Sequence, residues 1–185
     1  MILTRIKEFT AENHKSVERA AIMQPLHNNQ ISEQDYIAIL SKMYGFHQPL
    51  EKLLSGVPGL ADYLPDLSQR KKAHFLAKDL QQLNSPLPEV CSDLPNVITT
   101  DEAFGCMYVL EGSTLGGQMI SRIISSKLPG APLNFYTCYG SETGLRWKDF
   151  QQALINYANP TNEEIILNSA NITFVKLQHW LTSAI

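Results

Sequence analysis

YVLEGSTLGGQ, residues 108–118, places Gly112, Gly116 and Gly117 inside a stretch whose periodicity is otherwise that of one long amphipathic helix. A glycine in a helix interior costs ~1 kcal/mol relative to alanine, so three forfeit about 3 kcal/mol against a typical domain stability of roughly 5–15 kcal/mol. Something has to approach this backbone where side chains would be in the way. Gly112 and Gly116 are one helical turn apart and share a face, with Gly117 beside Gly116. That arrangement admits three readings: close packing of a second helix, a flat ligand lying against bare backbone, or a break in the helix. Ser113 and Thr114, between the glycines, can hydrogen-bond the carbonyls that a bend would free.

Working outward, Thr99 with Glu102 makes a capping box that opens this helix, and Pro129-Gly130 stops it after Lys127. Residues 2–21 carry Leu3, Ile6, Thr10, His14, Val17 and Ala21 on one helical face. Ser32 with Asp35 caps a second helix striped by Tyr36, Leu40, Met43, His47, Leu50 and Leu54, which Pro49 should kink and Gly56 can close. A third helix is expected over 67–83, followed by the proline-punctuated loop NSPLPEVCSDLPN. The stretch NFYTCYGSETG reads as a loop, a short helix follows near 145–157, and Thr161 with Glu164 is expected to cap the last helix. No convincing period-two strand is present. The fold class is therefore all-α, a single-domain helical bundle of six to eight helices spanning 1–185.

Bulk properties narrow the function classes. The chain has 185 residues, 44% hydrophobic and 18% charged, enough for a proper core. A net charge of −3, with Arg70-Lys71-Lys72 as the longest basic run, argues against nucleic-acid binding. Cys91, Cys106 and Cys138 are scattered and form no zinc spacing. The N-terminus lacks a signal-peptide core, and no stretch nears the ~18 apolar residues of a membrane span, so a cytoplasmic location is expected.

Two histidines lie on apolar stripes, His14 and His47, which places both imidazoles toward the interior. The ordinary explanation for either is a buried histidine with a satisfied partner. A lone histidine cannot make a zinc site, but it can be the single protein ligand of a haem iron. Haem also needs a slot between helices and a cation or two for its carboxylates. Lys7 lies two turns before His14 on the same side, ~10 Å along the axis, although an ordinary solvated lysine explains it equally well. Serine-histidine hydrolysis is disfavoured, because there is no GxSxG elbow and no strand to carry one.

The segments FTAENHKSVERA, DYIAILSKMYGFHQPLE, AFGCMYVLEGSTLGGQMISRII, YGSETGLRWKDF and NITFVKLQHWL, in that order, resemble the heme oxygenase family, specifically the small bacterial type associated with bacteriophytochromes. The likeness covers nearly the whole chain. It implies the heme-oxygenase-like helical fold, with His14 as the axial iron ligand and Gly112, Gly116 and Gly117 forming a distal wall kinked over the haem. Ser113 stands where the mammalian type has an aspartate, and Asn171 lies near where some relatives place a basic propionate partner, leaving Lys7, Arg146 or Lys176 for that role. The reaction implied is oxidative cleavage of haem to biliverdin with release of Fe(II) and CO. Haem is then both substrate and cofactor. O2 and electrons come from outside, the donor being a ferredoxin or a reductase, and a bacteriophytochrome is the implied receiver of biliverdin. Rival readings are a non-catalytic haem storage or sensing protein, and a thiaminase-like or pyrroloquinoline-cofactor enzyme on the same fold. Polar, cysteine or carboxylate pockets would be expected of the last two.

Overall fold

The computed structural model describes residues 1–183. Among them are eight α-helices and no strand: α1 (Ile2–Glu18), α2 (Gln24–His27), α3 (Glu33–Ser55), α4 (Leu60–Tyr63), α5 (Ala73–Gln82), α6 (Thr100–Lys127), α7 (Thr143–Tyr157) and α8 (Glu163–Thr182). None of these helices is long and apolar enough to cross a membrane. The capping boxes expected at Ser32/Asp35 and Thr99/Glu102 both form, each hydroxyl accepting from the backbone N–H three residues on while the carboxylate returns to the cap.

α6 is the central element. It runs from Thr100 to Lys127 with no non-helical residue at the glycines, so the reading of a broken helix is set aside. The hydroxyls of Ser113 and Thr114 donate to the carbonyls of Leu110 and Glu111, at 2.8 and 2.7 Å. α8 packs against α6 at Gly105, where an added Cβ would lie 2.6 Å from the Ile166 carbonyl oxygen and 2.7 Å from the Ala170 nitrogen. Ser169 Oγ donates to the Glu102 carbonyl and Thr173 Oγ1 to Cys106 Sγ, both pairs 67 residues apart, so the two helices run parallel. α1 runs parallel to α8 by the same logic, since Arg5 pairs with Glu163 and Asn13 with Asn171, each 158 residues apart.

The core divides in two. One cluster, including Phe46, Leu50, Phe104, Phe150 and Phe174, lies among α1, α3, α6, α7 and α8. The other joins Tyr36, Leu40, Leu76 and Leu80 to Ile124 and the 135–136 segment at the far end of α6.

Three expectations need correction. α1 ends at Glu18 rather than near residue 21, because Ala20 is extended (ψ 139°) and buried beneath the short turns that follow. The helix expected over 67–83 is split into a 3₁₀ turn (Leu67–Arg70) and α5, with Lys71 extended between them. That break lets Arg70 and Lys72 both point inward, and the buried Glu51 carboxylate supplies the cap of α5, accepting from the Lys72 and Ala73 backbone N–H groups at 2.7 and 3.2 Å. α3 continues through Pro49 from Glu33 to Ser55. The Gly45 carbonyl, which Pro49 cannot serve, accepts instead from the Cys91 backbone N–H at 2.8 Å and so anchors the proline-rich loop. Finally, Thr161 and Glu164 make no capping box. α8 starts at Glu163 after a turn in which Asn162 Oδ1 accepts from the Asn159 N–H, and Thr161 N–H is held by the Asn159 side chain.

Gly105→Ala tests the α6–α8 contact. The new methyl group meets backbone on two sides, and overpacking of this kind costs about 1–3 kcal/mol. The variant should unfold at a lower urea concentration with an unchanged m-value.

Candidate active site

Tyr108 of α6 comes up against the Thr10 side chain of α1, and burial pushes the Tyr108 hydroxyl above its ordinary pKa. Because both helices run parallel to α8, one turn further along each leads in the same direction, to His14 and to Gly112. The His14 side chain is 54% exposed, so the expectation that it faces the interior is corrected: the imidazole stands at the surface of α1. Its Nδ1 lies 3.7 Å from Glu18 Oε1, and its ring meets Phe174 edge-to-face at 5.4 Å.

The three glycines of the opening stretch have three different surroundings. A Cβ on Gly116 would meet nothing within 4 Å. On Gly112 it would touch the Trp147 ring at 3.7 Å, an ordinary contact. On Gly117 it would lie 2.6 Å from the Tyr136 carbonyl oxygen, so close backbone packing accounts for that glycine. Ser113 is exposed, next to Gly112. Leu115 and Met119 flank the Gly112–Gly116 face at helical spacing and are 48% and 63% exposed, large apolar surface left to solvent.

His47 is a different kind of histidine. It is 1% exposed, its Nδ1 donates to the Met43 carbonyl at 2.9 Å, and its ring packs edge-on to Phe135. Burial, with Lys72 nearby, pushes its pKa down to about 3, so the ring is neutral. Nε2 is buried and unpartnered, inside the core.

Of the cations considered for a carboxylate ligand, Arg146 is engaged by Asp66 at 2.7 Å and Glu142 at 3.4 Å, and Lys176 pairs with Asp93. Lys7 is exposed on α1 and makes no ion pair among the described residues. Asn171 is held by Asn13, the neighbour of His14, at 2.6 Å. Sequence reasoning overlooked Glu18, although its i, i+4 relation to His14 was visible. It also passed over Leu115 and Met119, whose exposure no periodicity shows, because both read as ordinary helix-face apolar residues.

Comparison with known proteins identifies the fold and the family of the whole chain. The family model for heme oxygenase covers residues 1–183. A heme oxygenase of Xanthomonas campestris pv. campestris (strain 8004) is 30% identical over 141 residues, spanning 72% of this chain and 79% of that protein. The heme oxygenase of Leptospira interrogans superposes with a TM-score of 0.80 at 17% identity, covering 98% of each chain. The NO- and CO-bound heme oxygenase of Neisseria meningitidis gives 0.77 at 22% identity, covering 100% of this chain and 94% of that one. Heme oxygenase-1 of Synechocystis sp. PCC6803, solved in complex with heme, gives 0.75 at 13% identity, covering 97% and 90%. The chain belongs to the heme oxygenase family. Its activity is that of a haem-degrading oxidoreductase, with haem as substrate and cofactor.

Two predictions follow from these surroundings. Gly117→Ala should destabilise the apo protein by about 1–3 kcal/mol through overpacking, while Gly116→Ala should stabilise it by up to ~1 kcal/mol of helix propensity. Melting curves of the two variants should move in opposite directions. For His47, the unfolded chain binds a proton below pH 6.5 that the folded chain refuses down to about pH 3. Stability is therefore lost as pH falls through that window, by at most ~1.4 kcal/mol per pH unit. In His47→Leu the decline of the urea midpoint from pH 6.5 to pH 4 should be shallower. An unchanged slope would assign the acid sensitivity to other groups.

Proposed function

We propose that the cleft between α1 and α6 is where this heme oxygenase holds haem and opens it to biliverdin, with release of Fe(II) and CO. The observation that carries the assignment is the unfilled space beside Gly116, where an added Cβ would meet nothing within 4 Å. When bound, haem supplies the iron centre at which O2 is reduced and is itself the molecule oxidised. The chain's own residues bind and orient it. His14 Nε2 is the metal ligand, Glu18 holds the opposite ring nitrogen, and Phe174 buttresses the imidazole plane. Leu115 and Met119 give the plate apolar cover and lose their exposure to water in doing so.

Gly112 and Gly116 keep side chains away from the open face of the plate, with Ser113 at its edge. Gly117 acts indirectly, by letting α6 sit against the Tyr136 backbone. Lys7 pairs with a haem carboxylate, a contribution of only ~0–1 kcal/mol for so exposed an ion pair. O2 and electrons come from outside the chain, the donor being a ferredoxin or reductase in the cytoplasm, and a bacteriophytochrome is the receiver of biliverdin. Haem storage or sensing would need the histidine and the apolar cover, but not a backbone kept bare at Gly116.

The test is a hemin titration of the pure protein, followed by reductant in air and chromatography of any green product. His14→Ala should lose the axial-histidine absorption spectrum, and His47→Leu should keep it. Gly116→Val should retain near-wild-type apo melting, yet bind hemin poorly or fail to convert it. A Gly116→Val protein that makes biliverdin at the normal rate would overturn this role for the glycine.

A further inference from the structure

Beside the glycines of α6 lies a buried cluster of acidic and basic side chains that the reading above does not use. Glu111, the residue before Gly112, is 1% exposed. Its Oε1 accepts from Lys72 Nζ at 2.5 Å and from the Tyr139 hydroxyl at 2.9 Å, and its Oε2 accepts from Arg70 Nη1 at 2.5 Å. Arg70 and Lys72 are themselves 3% and 1% exposed. Arg70 Nε continues to Asp66 at 2.8 Å, and Asp66 takes Arg146 of α7 at 2.7 Å. Lys72 Nζ also donates to the Arg70 carbonyl, and it sits 5.0 Å from the centre of the Tyr139 ring. Two separate segments thus converge on one carboxylate of α6, the 67–72 turn and the 139–142 turn, and the start of α7 joins at one remove through Arg146, Asp66 and Arg70.

Well-packed apolar residues of similar volume would often hold these segments at least as stably as buried ion pairs do. What the ionic arrangement adds is direction. Each oxygen of Glu111 is bound by a cation from a different residue of the same short turn. Rotation or sliding of α6 at this point breaks at least one short, charge-assisted hydrogen bond. The next residue is Gly112, and Gly116 follows one turn on. Along this stretch the slot face of α6 has little side-chain packing to position it, since Gly116 meets nothing and Leu115 and Met119 are exposed.

We propose that Glu111 is a positioning residue for haem opening: locked by Arg70, Lys72 and Tyr139, it sets the rotation and height of the Gly112–Gly116 backbone over the substrate. This rests on the assignment of the cleft made above. Glu111 touches neither substrate nor cofactor and acts only through the turn it holds.

The experiment compares wild type, the isosteric Glu111→Gln, and the charge-neutral triple variant R70M/K72M/E111L, with Leu80→Ala as a control for lost stability in a core residue of α5. Three readouts are taken on each: hydrogen–deuterium exchange of the apo 108–118 peptide, hemin dissociation constant, and steady-state kcat and KM for biliverdin formation. In Glu111→Gln and the triple variant, exchange of the 108–118 peptide should rise while that of the α8 peptides stays put. Hemin affinity and KM should hold, and kcat should fall roughly tenfold to a hundredfold, the scale of a small misplacement at a reacting centre. Leu80→Ala should melt lower with kcat unchanged. If the triple variant does not fold, Glu111→Gln alone decides, since it keeps the shape of the side chain. Wild-type kcat in a folded Glu111 variant overturns the proposal and leaves the cleft assignment standing. If wild type itself binds hemin but makes no biliverdin, the cleft assignment fails, and the exchange data report separately on whether Glu111 holds the turn.

Discussion

The structure depends on α6 being held at two points where only a hydrogen atom fits. At Gly105 the backbone of α8 comes within 2.7 Å of where a Cβ would stand, and at Gly117 the Tyr136 carbonyl comes within 2.6 Å. These two contacts commit the helix in position, while at Gly116 an added Cβ would meet nothing within 4 Å. Close packing and an open slot therefore belong to the same helix, and each requires glycine for a different reason. The helix-propensity loss of ~1 kcal/mol per glycine is a local penalty that the packing on one side and the substrate on the other make tolerable.

Buried carboxylates complete the frame. Glu51 caps α5 from α3, Asp79 takes the backbone N–H groups of Asn134 and Phe135 together with the Asn134 side chain, and Glu111 gathers Arg70, Lys72 and Tyr139. Each ties an irregular segment to a helix distant in sequence. Such segments carry backbone donors that no helix satisfies, and a buried carboxylate with two acceptor oxygens serves them in pairs. Burial pushes Glu51 above the usual carboxylate range even as the backbone N–H groups of Lys72 and Ala73 work to lower it. The cleft contrasts with this frame. His14 and Glu18 are half-exposed, and Leu115 and Met119 leave large apolar surface to solvent.

The two histidines on apolar stripes show how one pattern serves two ends. His47 lies on a helix packed all round, so its ring is desolvated and neutral. His14 lies on a helix whose matching face is covered by α8 only in part, and Phe174 supports the ring from one side while the other stays open. Periodicity reports which side of a helix a residue occupies. It does not report whether another element arrives to cover that side.

The sequence alone determined the all-α class, the capping boxes of α3 and α6, the ends of α6, and the presence of glycines that demanded a close approach. These follow from contacts within one helical turn, which local spacing encodes completely. The motifs in order were enough to point to the family that the comparisons then showed. Only the tertiary structure decided that Arg70 and Lys72, in a run resembling a solvated basic face, are buried partners of Glu111. Only it decided that the 67–83 stretch is broken, that Pro49 frees a carbonyl for Cys91, and that Gly116 faces open space while its neighbour Gly117 meets backbone. Each of these turns on a group dozens of residues away, and the desolvation and hydrogen bonding that fix it exist only once the helices are packed.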